Sequence, residues 1–176
     1  MTLKAIIYKA ELQITDMDRH YYQSHSITLA RHPSENEERM MVRLLAFCSH
    51  ADENLSFSGG LSTENEPELW KKNLQGDIDL WIDLGQMDEK RIRKACARAD
   101  QVIIYTYQQR SALVWWENIR EKIQRFDNLR IFHLQDSTVK NLAKMAQRNM
   151  QIQCTIEDEN IWLTDTEISI EVDFSA

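Results

Sequence analysis

The sequence predicts an α/β domain in which helices flank a mixed β-sheet, and two patterns support this. In the middle and later parts of the chain, short apolar runs rich in β-branched and aromatic residues alternate with stretches of helical period. Near both ends, the runs show partial apolar–polar alternation, which is typical of antiparallel strands with one solvent face. Hairpins flanking alternating α/β units fold as a sheet covered by helices.

The first third of the chain predicts two strands and a helix. Residues 3–14 (LKAIIYKAELQI) and 20–31 (HYYQSHSITLAR) are the strands, with TDMDR as the turn between them. Apolar residues then recur at helical spacing, which predicts a helix from about 35 to 50. Ser34 and Glu37 have the spacing of a capping box at its start.

The remaining elements follow in a regular order. NLSFSGG is a short strand, STENEPE a loop, and LWKKNL with DIDLWIDLG a hairpin around Gln75-Gly76. After the hairpin we predict the helix MDEKRIRKACARA, the strand QVIIYTY, the helix SALVWWENIREKIQRF, the strand LRIFHL, the helix DSTVKNLAKMAQR and the terminal strands QIQCTIED and NIWLTDTEISIEVDF.

Length and composition set the class of protein. The 176 residues predict one domain over 1–176, and no apolar run is long enough for a membrane span. The N-terminus has no signal-peptide pattern, and the three cysteines lack disulfide or zinc spacing, so we expect buried thiols in a reducing, cytoplasmic protein. The net charge of −7 disfavours strong nonspecific DNA binding but allows local basic patches.

The predicted hairpin raises a question about its acids. A two-residue turn at Gln75-Gly76, or a four-residue loop over 74–77, pairs residue i with residue 151 − i. One face then holds three cross-strand pairs: Lys72 with Asp79, Trp70 with Trp81, and Glu68 with Asp83. The first two pairs are favourable, but like charges directly opposite each other destabilise a sheet.

Several arrangements would offset the charges of Glu68 and Asp83. The two carboxyl groups can share a proton, pair with a nearby Arg or Lys, or bind a divalent cation. Alternatively, the hairpin tip reaches into water and its acids are solvated. Trp70 and Trp81 argue against this alternative, because the same face would then expose two indole rings.

Four segments in order resemble the YaeQ family of small bacterial proteins: RHPSENEERMMVRLLAF, LSTENEPELW, WIDLGQMDEKRIRKA and VIIYTY. The resemblance runs over nearly the whole chain. That family is similar in fold to the PD-(D/E)XK nuclease superfamily, whose core is a helix, three antiparallel strands, a helix and a strand. The resemblance therefore implies a nuclease-like core at about 34–107, with added strands around it.

The resemblance also implies a set of site residues. Glu68 after Pro67 matches the Pro-acid element, Asp83 the acid of the acid-x-Lys element, and Glu38 the acid of the first helix. These three would hold Mg²⁺ or Mn²⁺, which prefer carboxylate ligands. The lysine of the acid-x-Lys element would fall at Gly85, so this chain departs from the pattern there.

Two functions from different classes follow. In the first, the protein is a metal-dependent nuclease that acts on nucleic-acid phosphodiesters, with Gln86 and Arg91 orienting water and phosphate; Lys94 is a further candidate for the missing lysine. In the second, it is a non-catalytic binding or regulatory protein on the same scaffold. Its partner would be a nucleic acid or a protein, with the transcription machinery as one candidate.

Overall fold

A computed structural model describes residues 4–59 and 65–175. The chain forms two compact units: Met1–Ala51 with Ser137–Asp173, and Asp52–Asp136 with Phe174–Ala176. The elements in chain order are β1 (Ile6–Asp16), β2 (Tyr21–Arg31), α1 (Glu37–Ser49), β3 (Leu55–Phe57), β4 (Leu69–Lys72), β5 (Ile78–Leu84), α2 (Glu89–Arg98), β6 (Ala99–Thr106), α3 (Gln109–Ile123), β7 (Leu129–His133), α4 (Asp136–Lys144), β8 (Asn149–Glu157), β9 (Asn160–Thr164) and β10 (Ser169–Glu171).

The predicted mixed α/β class is confirmed, but the strands form two sheets where one was expected. The first unit contains the order β10-β9-β8-β1-β2, in which only the β1–β8 pair is parallel. The second unit contains β3-β4-β5-β6-β7. There β3, β4 and β5 are antiparallel, whereas β5, β6 and β7 are parallel and joined by the crossover helices α2 and α3. The single domain over 1–176 stays a prediction.

The start of α1 corrects the predicted capping box. The helix begins at Glu37, and the side chain of Asn36 accepts the Arg39 N–H at 2.8 Å. Ser34 lies before this cap and bonds His32 through its hydroxyl, so it does not cap the helix. Asn36 takes the position because its side chain reaches the backbone N–H of the third helical residue.

The β4–β5 hairpin is confirmed, but its predicted register holds only in part. Trp70 faces Trp81 as predicted. The ladder then shifts between Lys71 and Lys72, so Lys72 pairs with Ile78 and its predicted pairing with Asp79 is wrong. The ladder skips Asp79, which is the extra residue of β5 between Leu80 and Ile78. The shift accompanies a loop over 73–77 in which the Asn73 side chain accepts two backbone N–H groups.

Two further expectations concern burial. Cys48 and Cys154 are buried in the first unit as predicted, and the Cys96 thiol is half-buried in the second. Within the described residues, no helix combines the length and apolarity needed to cross a membrane. The cytoplasmic location stays a prediction.

Candidate functional site

Glu68 and Asp83 lie at the centre of the second unit and are not solvated. Only 6% of Glu68 and 2% of Asp83 is exposed, so the alternative of acids in water is wrong for both. Glu68 immediately precedes β4, and its N–H donates to the Ile82 carbonyl at 3.0 Å. The described ladder begins one residue later, at the pair of Leu69 with Ile82, in the predicted register. Glu68 therefore lies beside β5 at the end of the ladder, and its direct pairing with Asp83 stays a prediction.

Both oxygens of Asp83 are engaged by hydrogen-bond donors. Arg91 donates from Nε to Oδ2 at 3.0 Å and from Nη2 to Oδ1 at 2.9 Å, which is a bidentate ion pair. The indole Nε1 of Trp81 also donates to Oδ2 at 2.9 Å. A buried carboxylate is therefore compensated by one guanidinium and one neutral donor.

The start of α2 positions Arg91 for this role. Asp88 caps the helix by accepting the Arg91 N–H, and the Arg91 Nη2 also donates to the Glu66 carbonyl at 2.9 Å. The hydrogen bond to Asp83 raises the pKa of Arg91 against the opposing effect of burial, and the charges of Asp83, Glu68 and Asp88 raise it further. Three arrangements were expected to offset these acids: a shared proton, a nearby Arg or Lys, or a divalent cation. The structure shows the second, with Arg91 as the nearby cation.

The hydrogen bonds of Asp83 would compete with the binding of a divalent cation. A Mg²⁺ or Mn²⁺ site needs several oxygen ligands directed at one point. Asp83 directs both of its oxygens at Arg91, and residues 4–59 and 65–175 contain no group of three His, Cys, Asp or Glu that could hold a metal. The predicted metal site thus remains a prediction, which requires Arg91 to release Asp83.

The two remaining predicted residues, Glu38 and Gln86, make no described hydrogen bond to Asp83 or Arg91. Glu38 is half-buried in the first turn of α1, in the first unit, and its part in a shared site stays a prediction. Gln86 is exposed in the loop after β5, where its Nε2 donates to the Ser111 hydroxyl at 2.7 Å. It therefore contacts the first turn of α3 and makes no described hydrogen bond to Asp83.

The backbone explains why no lysine follows Asp83 at the expected spacing. Gly85 has a φ of +100°, a conformation that residues with a side chain rarely adopt. Its N–H donates to the Tyr105 carbonyl at 2.8 Å, which ties this turn to β6. A lysine at this position would be strained, so the cationic group comes from α2.

Sequence reasoning did not identify a basic groove along α2. The groove has a volume of about 780 Å³, and its charged lining consists of the cations Lys90, Arg91, Lys94 and Arg98 and one acid, Asp88; Trp81 also lines it. The Arg98 guanidinium stacks over the Trp81 ring at 5.1 Å. The signal was present in EKRIRKACAR, where basic residues recur at i, i+4 and i+8 and so share one helix face.

Comparisons with known proteins agree over the full length. The family model described as YaeQ protein matches residues 1–174. The YaeQ proteins of Salmonella typhi and Escherichia coli strain K12 are each 47% identical over 176 residues, which is 100% of this chain and 97% of theirs. The crystal structure of YaeQ from Xanthomonas axonopodis pv. citri is similar with a TM-score of 0.93 and 44% identity, over 97% of this chain and 96% of that one. The crystal structure of YaeQ from Pseudomonas syringae is similar with a TM-score of 0.91 and 36% identity, over 97% of this chain and 94% of that one.

Proposed function

The chain belongs to the YaeQ family, and from that premise we propose that it binds the phosphodiester backbone of a nucleic acid along α2 without cleaving it. The observation that carries the proposal is the row of cations in the α2 groove. With a rise of 1.5 Å per residue, Lys90, Lys94 and Arg98 follow one another at about 6 Å along the helix axis. Such a row suits a chain of phosphates.

Contacts in the groove favour the backbone over the bases. Nucleic-acid grooves that hold single strands usually add aromatic faces on which bases stack. Here Trp81 is only 2% exposed, and the Lys72 ammonium covers the Trp70 ring at 3.8 Å. Neither indole is open to stacking, so we expect electrostatic binding with little dependence on sequence.

The Asp83–Arg91 pair supports binding without cleavage. Metal-assisted hydrolysis needs carboxylates free to hold the ion and a charge that neutralises the transition state. Asp83 is committed to Arg91, Gly85 replaces the expected lysine, and Gln86 contacts Ser111. These features match the rival hypothesis of a non-catalytic protein on a nuclease-like scaffold.

A metal-dependent nuclease is the second candidate, because Glu68 and Asp83 are buried neighbours whose charges both act on Arg91. The resemblance to PD-(D/E)XK nucleases supports it, as does the order of three antiparallel strands, a helix and a parallel strand from β3 to β6. Mg²⁺ or Mn²⁺ would be held by Glu68 and Asp83 and would supply an activated water.

The binding proposal is tested by fluorescence anisotropy with labelled single-stranded DNA, RNA and duplex DNA. Three phosphate contacts predict a salt slope of about −2 for a single strand, or about a 20-fold loss of affinity between 50 and 200 mM salt. The double variant Lys90→Glu with Lys94→Glu should bind at least tenfold more weakly. The matched control is Lys140→Glu with Lys144→Glu, two exposed lysines at the same spacing on α4.

The outcomes separate the two candidates. Absence of salt-dependent binding at 50 mM salt, or an equal loss in both double variants, would refute binding along α2. Calorimetric titration of Mn²⁺ and Mg²⁺, followed by incubation with the same nucleic acids, tests the nuclease. Saturable metal binding and cleavage that Asp83→Asn and Glu68→Gln both abolish would establish it. Under the binding proposal, Asp83→Asn retains or increases nucleic-acid affinity, because it removes a negative charge beside the groove.

A further inference from the structure

The outer edge of β7 is open over most of its length. β7 is the last strand of its sheet, and the Leu134 N–H donates to the Thr106 carbonyl of β6. Backbone groups on a strand alternate between its two edges, so Leu129, Ile131 and His133 direct theirs outward. Among the described residues, those of Leu129 and Ile131 have no backbone partner.

The chain itself begins to pair with this edge. Phe174 forms an antiparallel bridge with Leu134, and the Ser175 N–H donates to the His133 carbonyl at 2.6 Å. The segment that leads there, Glu-Val-Asp-Phe-Ser over 171–175, alternates acidic and apolar residues before its final serine. Any strand continuing in this direction would run antiparallel to β7, towards Leu129.

A groove of about 690 Å³ lies beside the open edge, between β7 and α3. Its apolar walls are Trp116, Ile123, Phe126, Leu129 and Ile131. The rings of Trp116 and Phe126 are only half-buried. An added strand would therefore meet backbone groups on one side and apolar surface beneath it.

Charged residues define which side chains the added strand should carry. Arg120 lines the groove with Glu121 next to it, so this wall is close to neutral. On the opposite face of β7, Arg130 is exposed and stacks over the Phe132 ring at 5.0 Å. Residues of an added strand that point away from the groove would meet this cation.

We propose that the β7 edge and the α3 groove together bind an extended segment of a partner protein, which adds to the sheet as an antiparallel strand. The segment has apolar residues at every second position, which enter the groove beside Trp116. The intervening residues are acidic and face Arg130. The part of β7 that Ser175 leaves open, Leu129 to Phe132, has four residues, so at about 3.4 Å per residue the paired part of the segment spans about 14 Å. This site is separate from the α2 groove and does not depend on nucleic-acid binding.

The geometry predicts which backbone groups of the partner form the bonds. In an antiparallel pair, two residues that exchange both hydrogen bonds have side chains on the same face. Ile131 directs its backbone outward and its side chain into the groove, so the apolar residues of the segment should donate to β7. The acidic residues should direct their N–H groups away from it.

The test uses a capped, fluorescein-labelled nonapeptide of alternating glutamate and valine, titrated with the full-length protein and followed by anisotropy. We expect saturable 1:1 binding. A peptide N-methylated at its valines should bind at least tenfold more weakly, whereas one methylated at its glutamates should stay within about threefold. Simple adhesion to an apolar surface would not distinguish the two peptides.

Protein variants test the same site from the other side. Ile131→Pro removes an outward N–H and leaves the bonds to β6 in place, so binding should fall at least tenfold while circular dichroism and urea unfolding confirm the fold. Arg130→Glu should weaken binding at least threefold, whereas Lys122→Glu, an exposed cation of α3 outside the groove, should not.

Three results would overturn the proposal. The first is no saturable binding at millimolar peptide, and the second is an equal loss with both methylated peptides. The third is a concentration-dependent dimer that Ile131→Pro abolishes, because this would assign the edge to a second copy of the chain. The methylated peptides keep the test decisive if Ile131→Pro fails to fold.

Discussion

Replacing Arg91 with methionine removes the positive charge that faces two buried acids. The wild-type guanidinium makes two hydrogen bonds to Asp83 and one to the Glu66 carbonyl. The side chain of Asp83 is 3% exposed and that of Arg91 is 22% exposed. Methionine fills a similar volume, so the main effect is an unpaired carboxylate in the interior of the second unit.

The expected loss follows from this burial. Truncating one partner of a buried ion pair costs about 3–5 kcal/mol, and the partial exposure of Arg91 places the loss near the lower end, at about 3 kcal/mol. Asp83→Asn keeps an acceptor for the Trp81 indole and leaves Arg91 as a cation that water can reach. We therefore expect this variant to lose about 1.5 kcal/mol in the free energy of unfolding. The double variant leaves no unpaired charge at the pair and should lose about 3 kcal/mol, which gives a coupling energy of about 1.5 kcal/mol.

The assay is urea unfolding at pH 7, followed by tryptophan fluorescence. Arg125 and Glu89 provide a control cycle, because they form an exposed ion pair. The Arg125 Nη2 lies 3.4 Å from the Glu89 Oε1, and the two side chains are 54% and 34% exposed. Its coupling energy should stay below about 0.5 kcal/mol. If the Arg91–Asp83 cycle gives no more than the control, the argument that Arg91 compensates the acids is refuted. Glu68→Gln should also restore part of the stability lost in Arg91→Met, because both acids act on this guanidinium.

Three further predictions concern other parts of the fold. Burial lowers the pKa of His133, so the free energy of unfolding should fall as the pH drops below about 6.5, where the unfolded chain takes up the proton first. Urea unfolding of His133→Gln between pH 7 and 5 should show a smaller fall than the wild type, and an equal fall would contradict this. Burial raises the pKa of Cys96 to about 11, so little of this thiol is ionised at pH 8. Mass spectrometry should show that iodoacetamide reacts with Cys96 at least tenfold more slowly than with glutathione, and an equal rate would contradict this. Asn36→Ala should lower the free energy of unfolding in urea by about 1 kcal/mol, since the Asn36 side chain caps α1, and Ser34→Ala should leave it almost unchanged. Equal losses in the two variants would support Ser34 as a capping residue.

Local patterns were sufficient to predict the order of the elements from α1 to α4. The run QVIIYTY is apolar on both faces, and β6 is indeed buried between β5 and β7 in a parallel arrangement. The pairing of Trp70 with Trp81 followed from turn position alone. These features depend on residues that are neighbours in sequence or across a short loop.

Longer-range features could not be predicted in this way. The division into two sheets depends on the parallel pairing of β1 with β8, whose residues lie about 140 positions apart. The shift at Lys72 accompanies the capture of two backbone groups by the Asn73 side chain, an interaction that Gln75-Gly76 does not indicate. Each outcome is decided by geometry that a periodic pattern leaves open.

Of the five predicted site residues, the structure brings Glu68, Asp83 and Arg91 together, and the functional role of all five stays a prediction. Glu68, Asp83 and Arg91 were all identified, and a nearby arginine was one of the arrangements expected for the acids. The sequence could not show that Arg91 binds both oxygens of Asp83, because the two residues are joined by a strand end, a turn and a helix start. It also could not show that the cations of α2 share a groove with Trp81.

The buried acids and the α2 groove form one electrostatic arrangement. A buried ion pair contributes little net stability compared with apolar residues of the same shape, so stability alone does not account for Asp83 and Arg91. The bidentate bonds fix the guanidinium at the wall of the groove, where part of it is exposed. Because Asp83 and Glu68 offset the charge of Arg91, the exposed positive charge of the groove comes mainly from Lys90, Lys94 and Arg98. Under the proposed function, phosphate contacts should therefore be made by these three cations, with Arg91 holding the groove wall in place.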